Sequence, residues 1–338
     1  MQLIVLGLNH KTAPVEIRER FNFSQDRTVR VLRRLRNNDN LNEAVLLSTC
    51  NRTELYMVLE DPAAGLHFIR TLLRHLAGEQ YKPDYFYNLT GINCVRHLFK
   101  VASSLDSLII GEGQILSQIK NAYHLSRSCG MTDTLFNTLF NRAIAVGKRV
   151  RTETKIAYSS VSVSSAAVDL AIDVVGDLTK ANILVLGAGR MSELTARHLI
   201  DKGAKTIFVS NRNLSHAQEL AEKFNGTAIP YNEFMHQAIT SDIIITSTGA
   251  PHYVITEQGV RDIIPKRSGK PLILVDIAVP RDVDPLVGDI EGVTLYNIDD
   301  LEGVVDMNKN FRSSEAKVAE AIIDEEITAL KERLRYLT

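Results

Sequence analysis

Cys50 stands among a hydroxyl, an amide and a guanidinium in Ser48-Thr49-Cys50-Asn51-Arg52-Thr53-Glu54, directly after the apolar run Ala44-Val45-Leu46-Leu47. Only a thiolate is a strong nucleophile, and a fixed guanidinium nearby favours that form by Coulomb attraction. A loop at the exit of a buried strand also gives a substrate access. The alternative is that Cys50 is a small buried hydrophobe, as many free cysteines are.

A second set of residues can hold a nucleotide. The apolar run Ile183-Leu184-Val185-Leu186 passes into Gly187-Ala188-Gly189-Arg190-Met191-Ser192 and then into a helical segment. Glycines 187 and 189 let the backbone turn tightly and approach a pyrophosphate, which the free N–H groups of the helix N-terminus attract. Ser192 stands where Gly or Ala is usual, and it is small enough for close helix packing. At the end of the next strand, Ser210-Asn211-Arg212-Asn213 has no acidic residue for ribose hydroxyls. Asn211 and Arg212 suit a 2′-phosphate, which predicts NADPH. Thr246-Ser247-Thr248-Gly249 and Asp276-Ile277-Ala278-Val279-Pro280-Arg281 are expected to line the same carboxyl edge near the nicotinamide.

A thiol nucleophile and a hydride donor in one chain point to reduction of an acyl group through a thioester. The thiolate expels the leaving group of an activated carbonyl, hydride reduces the resulting thioester, and an aldehyde is released. Alcohol and hydroxy-acid dehydrogenases need no such thiol.

The elements that must position these groups are of three kinds. Residues 1–60 read as strand 2–7, helices 14–21 and 24–36, and strands 43–47 and 54–59, which suggests a small antiparallel α+β domain. Residues 63–174 read as almost wholly helical. Beyond residue 176, the apolar runs 183–186, 207–209, 243–245 and 272–275, with a weak strand at 227–229, alternate with helices, as in a parallel sheet covered on both faces. Residues 299–337 carry no proline and read as one long helix, a support or oligomerisation element.

Composition narrows the class further. The 338 residues are 45% hydrophobic and exceed the size at which one core usually stops growing. Cys50, Cys94 and Cys129 are odd in number and far apart, so they suggest a reducing compartment rather than a disulfide framework. Cys94 and His97 have a C-x-x-H spacing without a second pair, which reads as helix packing and not as a metal site. The start lacks a signal sequence and no apolar run approaches a membrane span, so a soluble cytoplasmic protein is expected. Net charge is −1, which argues against a protein wholly dedicated to nucleic acid. Two basic runs stand out, with arginines at 27, 30, 33, 34 and 36 in one and Lys148, Arg149, Arg151 and Lys155 in the other. Either could meet phosphates, and either could be a solvated helix face.

Several long motifs, in order, carry a family resemblance: residues 7–14 (Gly-Leu-Asn-His-Lys-Thr-Ala-Pro), 48–54, His97-Leu98-Phe99, 102–107 (Ala-Ser-Ser-Leu-Asp-Ser), 111–116 (Gly-Glu-Gly-Gln-Ile-Leu), 149–154 and 275–281. The chain resembles glutamyl-tRNA reductase over essentially its whole length. That resemblance implies a fold of the α/β multidomain class: an α+β catalytic domain with a helical part (1–155), a Rossmann-like NADPH-binding domain (156–298) and a long C-terminal spinal helix (299–338). It implies NADPH-dependent reduction of glutamyl-tRNA(Glu) to glutamate-1-semialdehyde, the first committed step toward tetrapyrroles. Cys50 matches the nucleophile, and Thr49, Asn51 and Arg52 match the loop that holds the glutamyl group, where Arg52 can pair two-pronged with the side-chain carboxylate. Ser107, Glu112, Gly113, Gln114 and Gln118 match further substrate-binding positions. His97 matches an activity-related histidine, assigned a general acid–base or orienting role.

The resemblance brings in a homodimer and, as an open question, hand-over of the aldehyde to glutamate-1-semialdehyde aminomutase. Family members continue into a helical dimerisation domain, whereas this sequence stops at Thr338. Either the sequence is a truncated form or its dimerisation differs. The rival reading is an NADP-dependent small-molecule dehydrogenase of shikimate-dehydrogenase type in which Cys50 is structural.

Overall fold

The structure, a computed structural model, describes residues 1–77, 82–107, 111, 113–154, 156, 163–301 and 309–335, with side chains omitted at 75–77, 309–314 and 332–335. The chain divides into two compact units, Met1–Ser160 with Asn308–Thr338, and Val161–Met307.

In the first unit, strand β1 (Gln2–Asn9) is followed by helix α1 (Val15–Arg18), which runs into a 3-10 turn, and by α2 (Gln25–Leu35). Ser24 caps α2 by accepting from the Arg27 N–H. Strands β2 (Leu41–Ser48) and β3 (Arg52–Leu59) form a hairpin. Helix α3 (Pro62–Ala77), strand β4 (Tyr87–Thr90), α4 (Gly91–Ala102), α5 (Gln114–Ser128) and α6 (Thr134–Glu153) follow. The four strands make one antiparallel sheet in the order β2-β3-β1-β4. The predicted antiparallel domain is present. Strand β4, however, lies inside the stretch expected to be helical, where it closes the sheet beside β1.

This sheet is covered on both faces. Ile4, Leu6, Leu8, Leu55, Met57 and Leu59 pack with Phe21, Leu32 and Leu35 on one side. Val5, Val45, Tyr56 and Val58 pack on the other side with α4, α5 and α6, through residues such as Leu98, Ile119 and Phe140. Because strand side chains alternate, Arg52 and Glu54 share the Tyr56 face and point toward α4.

Residues 299–301 lie in a turn, where Asp300 accepts from the Asn297 N–H and Asn297 from the Asp299 N–H. The last described helix therefore does not begin at 299 as expected. It spans Lys309–Arg335, twenty-seven residues, and belongs to the first unit. Its apolar face, Ala319, Ile322, Ile323, Ile327 and Leu330, joins the core formed by α4 and α6.

The second unit begins with α7 (Val163–Val175), buried along Val163, Ala166, Ala167 and Ala171. It continues with β5 (Asn182–Leu186), α8 (Arg190–Asp201), β6 (Thr206–Asn211), α9 (Leu214–Lys223), β7 (Thr227–Pro230), α10 (Phe234–Ala238), β8 (Ile243–Thr246), α11 (Glu257–Ile263), β9 (Leu272–Asp276) and β10 (Val293–Asn297). All neighbouring strands pair parallel in the order β10-β9-β8-β5-β6-β7. The weak third strand is real, and β10 is a sixth strand that the apolar runs do not announce. The order reverses between β5 and β8, which opens a crevice at their carboxyl ends.

Candidate active site

Thr49, Cys50 and Asn51 are the three residues that join β2 to β3. The Thr49 hydroxyl accepts from the backbone N–H groups of Asn51 and Arg52, each at 3.2 Å, and the Thr49 N–H donates to the Arg52 carbonyl at 2.8 Å. The loop is also fastened from outside. The His10 N–H donates to the Asn51 carbonyl at 3.0 Å, and Nε of Arg18 donates to the Cys50 carbonyl at 3.4 Å. Cys50 is thereby held half-buried, and none of the three cysteines is in a disulfide. Cys94 lies fully inside the core of α4, where burial pushes its thiol pKa up.

Arg52 begins β3 with its side chain only 1% exposed. Nη1 donates to Oε1 of Glu54 at 2.5 Å and to Oδ2 of Asp106 at 3.2 Å, whereas Nη2 is buried without a hydrogen-bond partner among the described residues. His97, on α4, places Nε2 2.9 Å from the same Glu54 oxygen. Tyr87 and Tyr56 also donate to Glu54, at 2.5 and 2.6 Å. Burial opposes ionisation of Glu54, but the Arg52 guanidinium and then His97 hold its carboxyl well below the usual range. Burial likewise opposes the Arg52 charge, and Glu54, Tyr87 and Asp106 more than offset it, so its pKa is raised. Asp106 pairs in addition with Lys11 at 2.5 Å, and its pKa is lowered against the effect of burial by Arg52 and Lys11. His10 is pushed down to about 4 by burial and by the charges of Arg52 and Lys11.

The other predicted substrate residues are spread along the segment after α4. Ser107 is half-buried next to Asp106, Gly113 caps α5, and Gln114 is its first residue. Gln118, one turn further, lines a cavity of about 510 Å³ with Ser48, Phe23, Thr28 and His124. Glu112 lies outside the described residues.

In the second unit, Gly187, Ala188 and Gly189 join β5 to α8 and line a cavity of about 330 Å³ with Ser210, Asn211, Arg212, Tyr231 and residues 247–250. Gly187 has φ +113°, and a Cβ there would meet the Ser247 carbonyl oxygen at 2.7 Å. Only glycine fits. A Cβ at Gly189 would meet nothing within 4 Å, which leaves room above the turn. Ser192 is buried and its hydroxyl lies 2.7 Å from that of Ser247, so serine at this position ties the turn to the end of β8. The Ser210 hydroxyl, buried at the cavity wall, has no hydrogen-bond partner among the described residues. A glycine cradle at a helix N-terminus with unsatisfied polar groups suits a dinucleotide.

Arg212 borders this cavity with its guanidinium 3.1 Å from Nε2 of His252 and over the Tyr231 ring. Arg190 and Met191 open α8. Of the two later segments, 247–249 line the cavity and 276–281 do not. Asp276 instead turns inward: its carboxylate accepts from the Thr246 hydroxyl and from the N–H groups of Ala278, Asp282 and Val283. Burial nonetheless pushes its pKa up to about 7.

Residues 6–154 match the family model for the N-terminal domain of glutamyl-tRNAGlu reductase, and residues 169–304 match the model for shikimate / quinate 5-dehydrogenase. Over 330 residues, 97% of this chain and 76% of the relative, the sequence is 47% identical to glutamyl-tRNA reductase of Trichlorobacter lovleyi. The chain belongs to the glutamyl-tRNA reductase family. A relative of the same description from Brevibacillus brevis is 45% identical over 332 residues, which cover 97% of this chain and 73% of the relative. The solved structure of glutamyl-tRNA reductase from Methanopyrus kandleri superposes with a TM-score of 0.52 at 36% identity, covering 99% of this chain and 81% of that one. The shikimate-type match is confined to the nucleotide unit, and the first unit has its counterpart in glutamyl-tRNA reductases.

Sequence reasoning passed over Glu54, Tyr56, Tyr87 and Asp106 as members of the site. A signal existed for the first two: Arg52, Glu54 and Tyr56 stand at every second position of one strand and hence put three polar groups on one face. No spacing pointed to Tyr87 or Asp106. The basic run near 149 also reads differently in the structure. Arg149 pairs with Glu153, Glu325 and Glu326, and Arg151 donates to the Gly113 carbonyl and the Ser104 hydroxyl, while Lys155 lies outside the described residues. On α2, Arg30, Arg33 and Arg34 face solvent. No helix among the described residues is long and apolar enough to cross a membrane, and no cluster among them suits a metal ion.

Proposed function

We propose that this protein reduces the glutamyl group of glutamyl-tRNA(Glu) to glutamate-1-semialdehyde with NADPH, through a thioester on Cys50. The observation that carries this reading is the hairpin that sets Cys50 two residues from Arg52, whose buried Nη2 has no partner among the described residues, in a chain of this family. A substrate carboxylate would satisfy that nitrogen, and a planar guanidinium is suited to receive it.

The chain's own groups divide the work as follows. The sulfur of Cys50 forms a bond to the ester carbon, the bond from that carbon to the ribose oxygen breaks, and the thiol proton ends on the released ribose hydroxyl. His97 serves as the general acid–base group for that transfer. Arg52 and the Thr49–Asn51 loop orient the glutamyl group, with Ser107, Glu112, Gly113, Gln114 and Gln118 completing its surroundings. Gly187 to Ser192 hold the pyrophosphate of NADPH, and Asn211 and Arg212 receive its 2′-phosphate. Reduced nicotinamide, when bound, supplies the hydride that takes the acyl carbon to the aldehyde level. The carbon–sulfur bond then breaks and sulfur leaves as the Cys50 thiolate. The aldehyde is reactive, so direct delivery to the aminomutase that consumes it is part of this reading.

Trapping of glutamate-1-semialdehyde from glutamyl-tRNA and NADPH tests the activity. No aldehyde from charged tRNA, with turnover of a small hydroxy or keto acid instead, would favour the shikimate-type alternative.

A further inference from the structure

Three donors and one imidazole nitrogen converge on one carboxylate inside the first unit, and the roles above leave that carboxylate unused. Glu54 has no solvent exposure. Its Oε1 accepts from Nη1 of Arg52 and Oη of Tyr87 and lies 2.9 Å from Nε2 of His97, and its Oε2 accepts from Oη of Tyr56. A buried carboxylate is costly unless paired and hydrogen-bonded, and this one is both. Gly7, opposite Glu54 in the β1–β3 register, allows the cluster to close. A Cβ at Gly7 would lie 2.8 Å from Cγ of Glu54 and 3.0 Å from Oη of Tyr87.

The chemistry of the acceptor then decides the state of His97. The Arg52 guanidinium, 2.5 Å from Oε1, holds Glu54 in its ionised form against the effect of burial. Ionised Glu54 only accepts, so the imidazole nitrogen facing it carries a hydrogen. A neutral imidazole has one N–H, which leaves Nδ1 bare. The same oxygen anchors Nη1 of Arg52 and leaves Nη2 as the unengaged end of the fork.

We infer that Glu54 is a positioning residue of this enzyme: it fixes His97 as the Nε2–H tautomer, so that His97 exchanges protons at Nδ1, and it orients Arg52 toward the substrate through Nη2. The inference rests on the roles proposed above for His97 and Arg52. Its structural half, the tautomer, is measured without substrate or coenzyme, so it can fail separately from the thioester reading.

The test uses the full chain labelled with ¹⁵N-histidine, with the His97 signals assigned by their loss in His97→Gln. Long-range proton–nitrogen spectra of the neutral ring are expected to show Nε2 protonated and Nδ1 bare. Glu54→Gln presents an amide hydrogen to at least one of these partners and removes the constraint. His97 is then expected to populate the Nδ1–H tautomer, and kcat for glutamyl-tRNA reduction to fall by about 100-fold or more. An Nδ1–H tautomer in the unsubstituted protein, or a folded Glu54→Gln variant with undiminished kcat, would overturn the inference. If Glu54→Gln does not fold, the spectrum of the unsubstituted protein decides by itself.

Discussion

Nε2 of His97 lies 2.9 Å from the Glu54 oxygen that also sits 2.5 Å from Nη1 of Arg52. A histidine on α4 and an arginine at the start of β3 are thus joined through one buried charge. Removing the arginine alone strands that charge. Arg52→Leu is expected to cost about 3–5 kcal/mol of stability in urea unfolding. Adding Glu54→Leu removes the stranded carboxylate, so the double variant should lose less than the sum of the two single losses.

The first unit should be acid-labile in two stages. His10 titrates near 4 in the folded chain against 6.5 for the free side chain, so the unfolded state binds its proton first as pH falls. Its contribution is therefore full above pH 6.5 and lost progressively toward pH 4. Glu54 and Asp106, both lowered, contribute above the ordinary carboxylate range and lose that contribution as pH falls below it. Thermal melts between pH 7 and 4 should show a decline that His10→Gln flattens. An identical slope in that variant would assign the decline elsewhere.

Coenzyme selectivity should depend on Arg212 and coenzyme affinity on Gly187. Arg212→Ala is expected to lower kcat/KM with NADPH at least tenfold while leaving that with NADH nearly unchanged. Equal efficiency of the two coenzymes in the unsubstituted enzyme would contradict the 2′-phosphate reading. Gly187→Ala forces a side chain into φ +113° and against the Ser247 carbonyl, so NADPH binding followed by nicotinamide fluorescence should weaken at least tenfold.

Of the arginines in the two basic runs, Arg30, Arg33 and Arg34 on α2 face solvent, whereas Arg149 is held by three glutamates and Arg151 donates to Gly113 and Ser104. Substituting Arg30 and Arg33 by alanine should weaken glutamyl-tRNA binding. In plots of log affinity against log salt, the slope should fall by about 0.7–0.9 for each phosphate that an arginine no longer neutralises. Arg149→Ala should leave that slope unchanged.

Some of this architecture is legible from residue types alone. Strands buried on both faces appear as unbroken apolar runs, so β5, β6, β8 and β9 declared themselves, as did the glycine turn after β5. Strands β4 and β10 did not. Each is a short edge strand, nowhere fully buried, so neither shows a distinctive pattern. Cys50 and Arg52 were visible because their chemistry is local, within one hairpin. The Glu54 cluster joins residues 54, 87, 97 and 106, and only the sheet register and the packing of α4 bring them together. The turn at 299–301, just after β10, reads in the sequence as a helix start because Asn297 and Asp300 close it through side-chain acceptors, which residue type alone does not separate from a helix cap.

A covalent glutamyl–sulfur bond at Cys50 underlies every step of the proposed reaction, and a labelling experiment addresses it without any other assumption about the site. Incubating the protein with glutamyl-tRNA carrying radiolabelled glutamate, without NADPH, should leave label on the protein that is released when NADPH is added. Cys50→Ser should carry none. Label retained on Cys50→Ser, or none on the unsubstituted protein under conditions where it produces aldehyde, would be incompatible with a thioester at this residue.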